Sequence, residues 1–179
     1  MSRRYTVTAL PKRAWVTMAV LGVVLPLILG SALPWILASE AKPGAPLWVM
    51  VGGPMLVAVV SAAFMGWGMR RLEVEIVEGT LIVRAMIYTR KLPLAQLDGA
   101  HARIIDLDQE RAWAPVLRLN GVGLPGVQIG HFRGSPFRRR LFCLLTSHQR
   151  VLLIPELHGE SYLLLSLEQP QRLLDALRM

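Results

Sequence analysis

The stretch PLWVMVGGPMLVAVVSAAFMGWGMRRLEVEIVEGTLIVRA, residues 46–85, changes character at Arg70-Arg71. Before that pair, Pro46–Met69 runs without one Asp, Glu, Lys or Arg. After it, apolar and acidic residues alternate through Leu72-Glu73-Val74-Glu75-Ile76. A helix needs about 20 apolar residues to cross a ~30 Å hydrocarbon core, and Pro46–Met69 exceeds that length. A period of two instead marks a half-buried strand. The first part therefore reads as a membrane span and the second as the start of a β-domain.

Toward the N-terminus lies a second uncharged stretch of similar length, Ala14–Ala38. Trp15, Trp35, Trp48 and Trp67 stand at the ends of the two stretches, where indole rings favour the headgroup level. The segments at 14–38 and 46–69, joined by a short loop with only Glu40 and Lys42, predict a transmembrane helical hairpin. A cleaved signal peptide fits poorly: the apolar region is about twice the usual length, and Ala38-Ser39-Glu40 is a poor cleavage site. Within the second span Ala58, Ala62 and Gly66 recur at four-residue spacing, a small-residue face for helix packing inside the hairpin or between copies of the chain. Neither span contains a charge that would serve an ion path.

The net charge of +8 is uneven. Residues 1–13 carry Arg3, Arg4, Lys12 and Arg13 and no acid, and Arg70 and Arg71 follow the second span. By the positive-inside rule both flanks face the cytoplasm and the intervening loop faces outward. Three parts follow: a basic cytoplasmic N-terminus (1–13), the hairpin (14–69) and a cytoplasmic domain (70–179) large enough for one core. The single Cys143 sits in the apolar run Leu141–Leu145 and reads as a buried thiol, so no internal disulfide is expected.

Strand-like segments continue after the first hairpin turn, Glu78-Gly79-Thr80: Thr89–Leu92, Ala102–Leu107, Val116–Leu119, Gly126–His131, Leu141–Thr146, Val151–Ile154 and Tyr162–Leu165. From Ser166 the period changes. Ser166 and Gln169 offer a capping box, or Pro170 takes the first helical turn, and Leu173, Leu174 and Leu177 form one apolar stripe. About seven strands and a terminal helix predict a small β-barrel or sandwich with a helix at one open end.

The central stretch Arg118-Leu-Asn-Gly121-Val-Gly123-Leu-Pro125-Gly126-Val-Gln-Ile-Gly130-His-Phe132 resembles the glycine-rich signature of bacterial pleckstrin-homology-like domains. A two-helix membrane anchor often precedes the domain in those proteins. Leu92-Pro93-Leu94 before Ala100–Asp106, and a last strand running into Ser166-Leu-Glu-Gln-Pro170, extend the likeness over roughly residues 70–179. The resemblance implies a bent seven-stranded sheet capped by a C-terminal α-helix, at the bacterial inner membrane. It implies architecture more than activity, since fold does not carry function.

Gly121, Gly123 and Gly126 also match the dinucleotide fingerprint G-x-G-x-x-G, but Pro125 stands where the required helix would start and strand residues follow. No nucleotide or other cofactor is expected; the glycines read as turns and a bulged strand. Arg133, Arg138, Arg139 and Arg140, interleaved with Phe132 and Phe137, form the densest cationic cluster and the expected surface for lipid phosphates or a partner protein. Nucleic acid is disfavoured because there is no recognition helix or stacking platform. The short acidic loop at Glu78 departs from the basic first hairpin of phosphoinositide-binding pleckstrin-homology domains.

The four histidines are scattered, and Asp106, Asp108 and Glu110 lack the further ligands of a calcium loop, so no metal is expected. With no catalytic constellation, the chain reads as a non-enzyme: a tethered binding or scaffolding module for a membrane protein partner or lipid surface. One rival is a structural subunit assembling through its spans. A remoter one is an enzyme using His131 and nearby arginines on a phosphorylated lipid.

Overall fold

A computed structural model of the chain describes residues 2–28, 47–135, 138–157 and 160–178. The chain forms two units, Met1–Ala14 with Arg71–Met179, and Trp15–Arg70.

Helix α1 (Lys12–Ala19) begins in the first unit, continues into the helical one through a π-helical turn at Val20–Val24 and stays helical to residue 28. Pro26 lies just beyond that turn and supplies no backbone N–H to the ladder. The rest of the first expected span, with Trp35, lies outside the described residues. The second helix, α2 (Leu47–Arg70), has 24 residues, and its portion Gly52–Arg70 is long and apolar enough to cross a membrane. Its apolar side chains point in every direction, and Met55, Leu56, Val57, Val59, Val60, Phe64 and Trp67 are exposed. A helix in the core of a soluble protein would bury most of these. Gly22 and α2 approach closely: a Cβ at Gly22 would lie 3.0 Å from the Met65 sulfur. Of the four-residue repeat, Ala58 is buried, while Ala62 is exposed and a Cβ at Gly66 would meet open space.

The second unit is mainly β, with two sheets and a C-terminal helix. Strands β1 (Ser2–Tyr5), β2 (Glu73–Val77), β3 (Thr80–Ala85) and β4 (Tyr88–Pro93) form an antiparallel sheet in chain order. Strands β5 (Arg103–Ile105), β6 (Leu117–Leu124), β7 (Val127–Arg133), β8 (Arg140–Leu145), β9 (Val151–Pro155) and β10 (Ser161–Ser166) form the other, ordered β5-β9-β10-β8-β7-β6. Each strand segment expected from the sequence is present, but the described residues contain ten strands rather than about seven.

The strand that no expected segment covers is β1. It pairs with β2 from Ser2↔Val77 to Tyr5↔Val74, so the segment expected to be a separate basic tail belongs to the domain. Its side chains give no strand pattern because backbone pairing holds it; Arg3 and Arg4 are exposed, and Arg4 reaches Glu73 at 3.2 Å. Beyond β1, Thr8 N–H donates to the Ser166 carbonyl (3.1 Å), and the Thr8 carbonyl accepts from Thr146 Oγ1 (2.7 Å). The N-terminal segment thus stitches the first sheet to β8 and β10.

Hairpin chemistry explains the tight turns. Glu78 and Gly79 both have positive φ (48° and 72°), the requirement of a two-residue primed turn between twisted strands. Pro125-Gly126, with Gly126 at φ +82°, closes β6–β7 as proline and glycine do in a type II turn. In the second sheet β10 inserts between β8 and β9, parallel to the first and antiparallel to the second. Leu141–Leu145, Val151–Ile154 and Leu163–Leu165 are fully buried, the continuous apolar runs of strands covered on both faces. One core cluster includes Phe132, Leu141, Cys143, Leu153 and Leu164, with Trp113 and Tyr162 against it. Burial pushes the Cys143 thiol far up.

The C-terminal helix α3 (Pro170–Leu177) lies against β5 and β9 and buries Leu173 and Leu174. Of the two starts the sequence allowed, proline at the first turn is the one adopted. Ser166 does not cap: its Oγ donates to the Ser147 carbonyl at 2.9 Å within the sheet region.

Candidate partner-binding surface

The expected arginine cluster separates into unlike roles. Arg139 is held inward: Nη1 donates to the Ala112 and Ser135 carbonyls, each at 3.1 Å, and the guanidinium stacks 4.3 Å from the Trp113 ring centre. Trp113 in turn meets Tyr162 edge-on at 4.9 Å. Arg139 therefore fastens the 111–113 turn to the β7–β8 loop. Arg138 points outward, 83% exposed and 3.6 Å from Glu160, a separation that contributes little in water. Arg140 opens β8 and stands in register beside Arg133, two like charges on one face of the sheet. Phe137 lies outside the described residues.

The glycine-rich stretch is the β6–β7 hairpin itself. Gly121 and Gly130 are cross-strand partners next to a bulge between Arg118 and Asn120. Gly130 has φ +114°, and a Cβ there would lie 2.5 Å from the Asn120 carbonyl oxygen and 2.7 Å from Gly121 Cα. Glycine is required at this approach. Phe132 is buried in the core behind Arg118, while Gly123 has only ordinary neighbours.

On the opposite sheet face His131 is half-buried, edge-on to Phe142 (5.1 Å between ring centres) and near Tyr88 (6.1 Å). Burial first, and Arg90 second, hold its imidazole below the ordinary value near 6.5. Arg90 is itself paired with Glu156 at 2.6 Å, and Tyr88 donates to Asn120 at 2.7 Å. The acidic segment is similarly engaged: Asp108 meets His148 at 3.1 Å and Glu110 meets Arg103 at 2.7 Å. Among the described residues no three His, Cys, Asp or Glu side chains are grouped to hold a metal.

Sequence reasoning found β6 as a strand but missed its place. It is the outer strand of the six-stranded sheet, and Val116, Leu117 and Leu119 are 59, 47 and 53% exposed. The signal was present: from Arg111 to Arg140 the sequence has six arginines and no acidic residue. The β7–β8 loop also stands the length of β7 away from the other end of the hairpin, roughly 20 Å for seven residues. At that other end Gly126 lies against Pro11 and Arg13, next to the point where the chain leaves the domain.

No protein-family model matches this chain, and neither does any curated protein or solved structure.

Proposed function

We propose that this chain is a membrane-tethered, pleckstrin-homology-like binding or scaffolding module at the bacterial inner membrane. A two-helix hairpin holds the β-domain, which engages a membrane-associated protein partner and, secondarily, anionic lipid. The observation that carries the reading is the pairing of β1 with β2. These strands flank the helical unit in sequence yet share one ladder, so both flanks lie on the same side of any bilayer the helices cross. That requirement supports an even number of crossings and agrees with Arg3, Arg4, Lys12, Arg13, Arg70 and Arg71 all on the cytoplasmic side. The exposed apolar surface of α2 supports a lipid environment, and two sheets with a C-terminal helix agree with the pleckstrin-homology resemblance.

The rival is assembly through the helices, favoured by an open apolar groove lined by Val23, Leu27, Met55, Ala58, Val59 and Ala62. Two measurements test the proposal. In a Cys143→Ala background, Ser39→Cys should react with a membrane-impermeant maleimide in intact cells, and Ser135→Cys only after permeabilisation; the reverse pattern defeats the topology. Partners co-purified from gently solubilised membranes should persist when Ala58, Ala62 and Gly66 are replaced by Leu. Their loss would favour the rival.

A further inference from the structure

The sheet edges of the domain are not alike. β1 exposes Arg3 and Arg4, and β4 exposes Thr89, Lys91 and Pro93; charge and proline at an edge discourage pairing with another chain. β5 is guarded by α3: Arg178 Nη2 donates to the Ala102 carbonyl at 3.0 Å, and Gly99 lies against the Leu177 carbonyl. β6 has neither defence along Val116–Leu119. Three of those four residues are exposed aliphatics, and among the described residues no strand pairs with its outer side.

We propose that the outer edge at the start of β6, from Val116 just before the strand to Leu119, is the site where an extended acidic segment of a partner protein adds a strand to the sheet. The inference rests on the binding-module reading and gives the module its contact. Charge selects the occupant. The acid-free run Arg111–Arg140 makes the edge strand, its neighbour and the flanking loops uniformly cationic. Arg118 is exposed on β6 and has no ion-pair partner among the described residues. Leu117 lies in one row with Arg133 and Arg140, and Arg118 in the next row with Phe132. An added strand would therefore present a carboxylate to Arg118 on one face and an apolar residue to Leu117 on the other. Its backbone would satisfy the outward N–H and C=O groups of β6. A lipid surface or a nucleic acid offers no such ladder. The register shift between Arg118 and Asn120 breaks the regular edge at Leu119, where the docking stretch ends.

The test uses the full chain in nanodiscs of zwitterionic lipid, with fluorescence anisotropy of labelled octapeptides. The probes are alternating Val-Glu, alternating Val-Lys, and a block peptide of four Val followed by four Glu. The alternating acidic peptide should bind at least tenfold more tightly than the other two. Leu117→Lys should weaken it at least tenfold, and Arg118→Glu should invert the preference between the acidic and basic peptides. Leu119→Lys provides a second edge variant should either of these fail to fold. Equal binding of block and alternating peptides, or no response to Arg118→Glu, overturns the proposal, as does binding confined to anionic vesicles or a single-stranded oligonucleotide. Native partners retained by Arg118→Glu while wild type shows no peptide preference would refute the edge and leave the binding-module reading intact. Absence of any partner with wild type would refute that reading instead.

Discussion

Replacing Arg139 tests whether the arginine cluster is one surface or two. In Arg139→Ala the Ala112 and Ser135 carbonyls lose a charged donor. Hydrogen bonds to charged groups contribute about 1.5–3 kcal/mol each when desolvated, and less at a half-exposed site. Stacking on Trp113 adds about 0.5–1 kcal/mol. Together the change should cost about 2–3 kcal/mol, whereas Arg138→Ala, at an exposed residue 3.6 Å from its carboxylate, should stay within about 0.5 kcal/mol. The chain carries its own reporter, since its single Cys143 is fully buried and reacts only when the domain opens. At about 1.4 kcal/mol per decade, labelling of Cys143 by a maleimide in mild detergent should accelerate roughly 30- to 150-fold in Arg139→Ala. Arg138→Ala should accelerate it by less than threefold. Arg139→Lys should resemble the alanine variant, because an ammonium cannot both stack and span two carbonyls. Equal labelling rates in the two alanine variants would refute the division of roles.

Two further outcomes use the same reporter or ordinary unfolding. Gly130→Ala places a Cβ at φ +114° against Asn120 and Gly121 and should cost at least about 3 kcal/mol; Gly123→Ala meets only ordinary contacts and should change stability by less than about 1 kcal/mol. Similar midpoints in urea for both would show that the β6–β7 approach is looser than described. His131, held below its ordinary value, binds a proton more readily in the unfolded chain than in the folded one. Stability should therefore fall as pH drops below about 6.5 toward the folded-state value, and His131→Gln should lose part of the difference in urea midpoint between pH 7.5 and 5.5. An unchanged difference would assign that pH response to other groups.

Much of the β-domain was legible because its signals are local. Alternation at Leu72–Ile76, the Glu78-Gly79 turn and the leucine-rich runs of β8, β9 and β10 each declare a strand without reference to distant residues. What escaped depends on who pairs with whom. Ser2–Tyr5 carries two arginines and no apolar alternation, so only the ladder with β2 reveals it as a strand. Val116-Leu-Arg-Leu119 reads equally well as a central or an outer strand, and its exposure follows from the sheet order alone. The arginine triplet announced charge but not orientation. Arg139 is distinguished from its neighbours by Trp113, which lies well before it in the chain and beyond the whole β6–β7 hairpin.

The β1–β2 ladder has a consequence for biogenesis. Tyr5 leaves the ribosome roughly 70 residues before its partner Val74, a delay of roughly 3–14 s at ordinary synthesis rates. For a chain tethered as proposed, both helices must enter the bilayer within that interval, and the first strand must wait on the near side. A molecule whose N-terminus was wrongly translocated would lack a strand and the Thr8 stitch to β8 and β10. It would leave the edge of β2 bare and open to quality-control proteases. For a chain tethered as proposed, the β1–β2 ladder can close only when both helices have crossed together, which ties folding of the sheet to correct insertion.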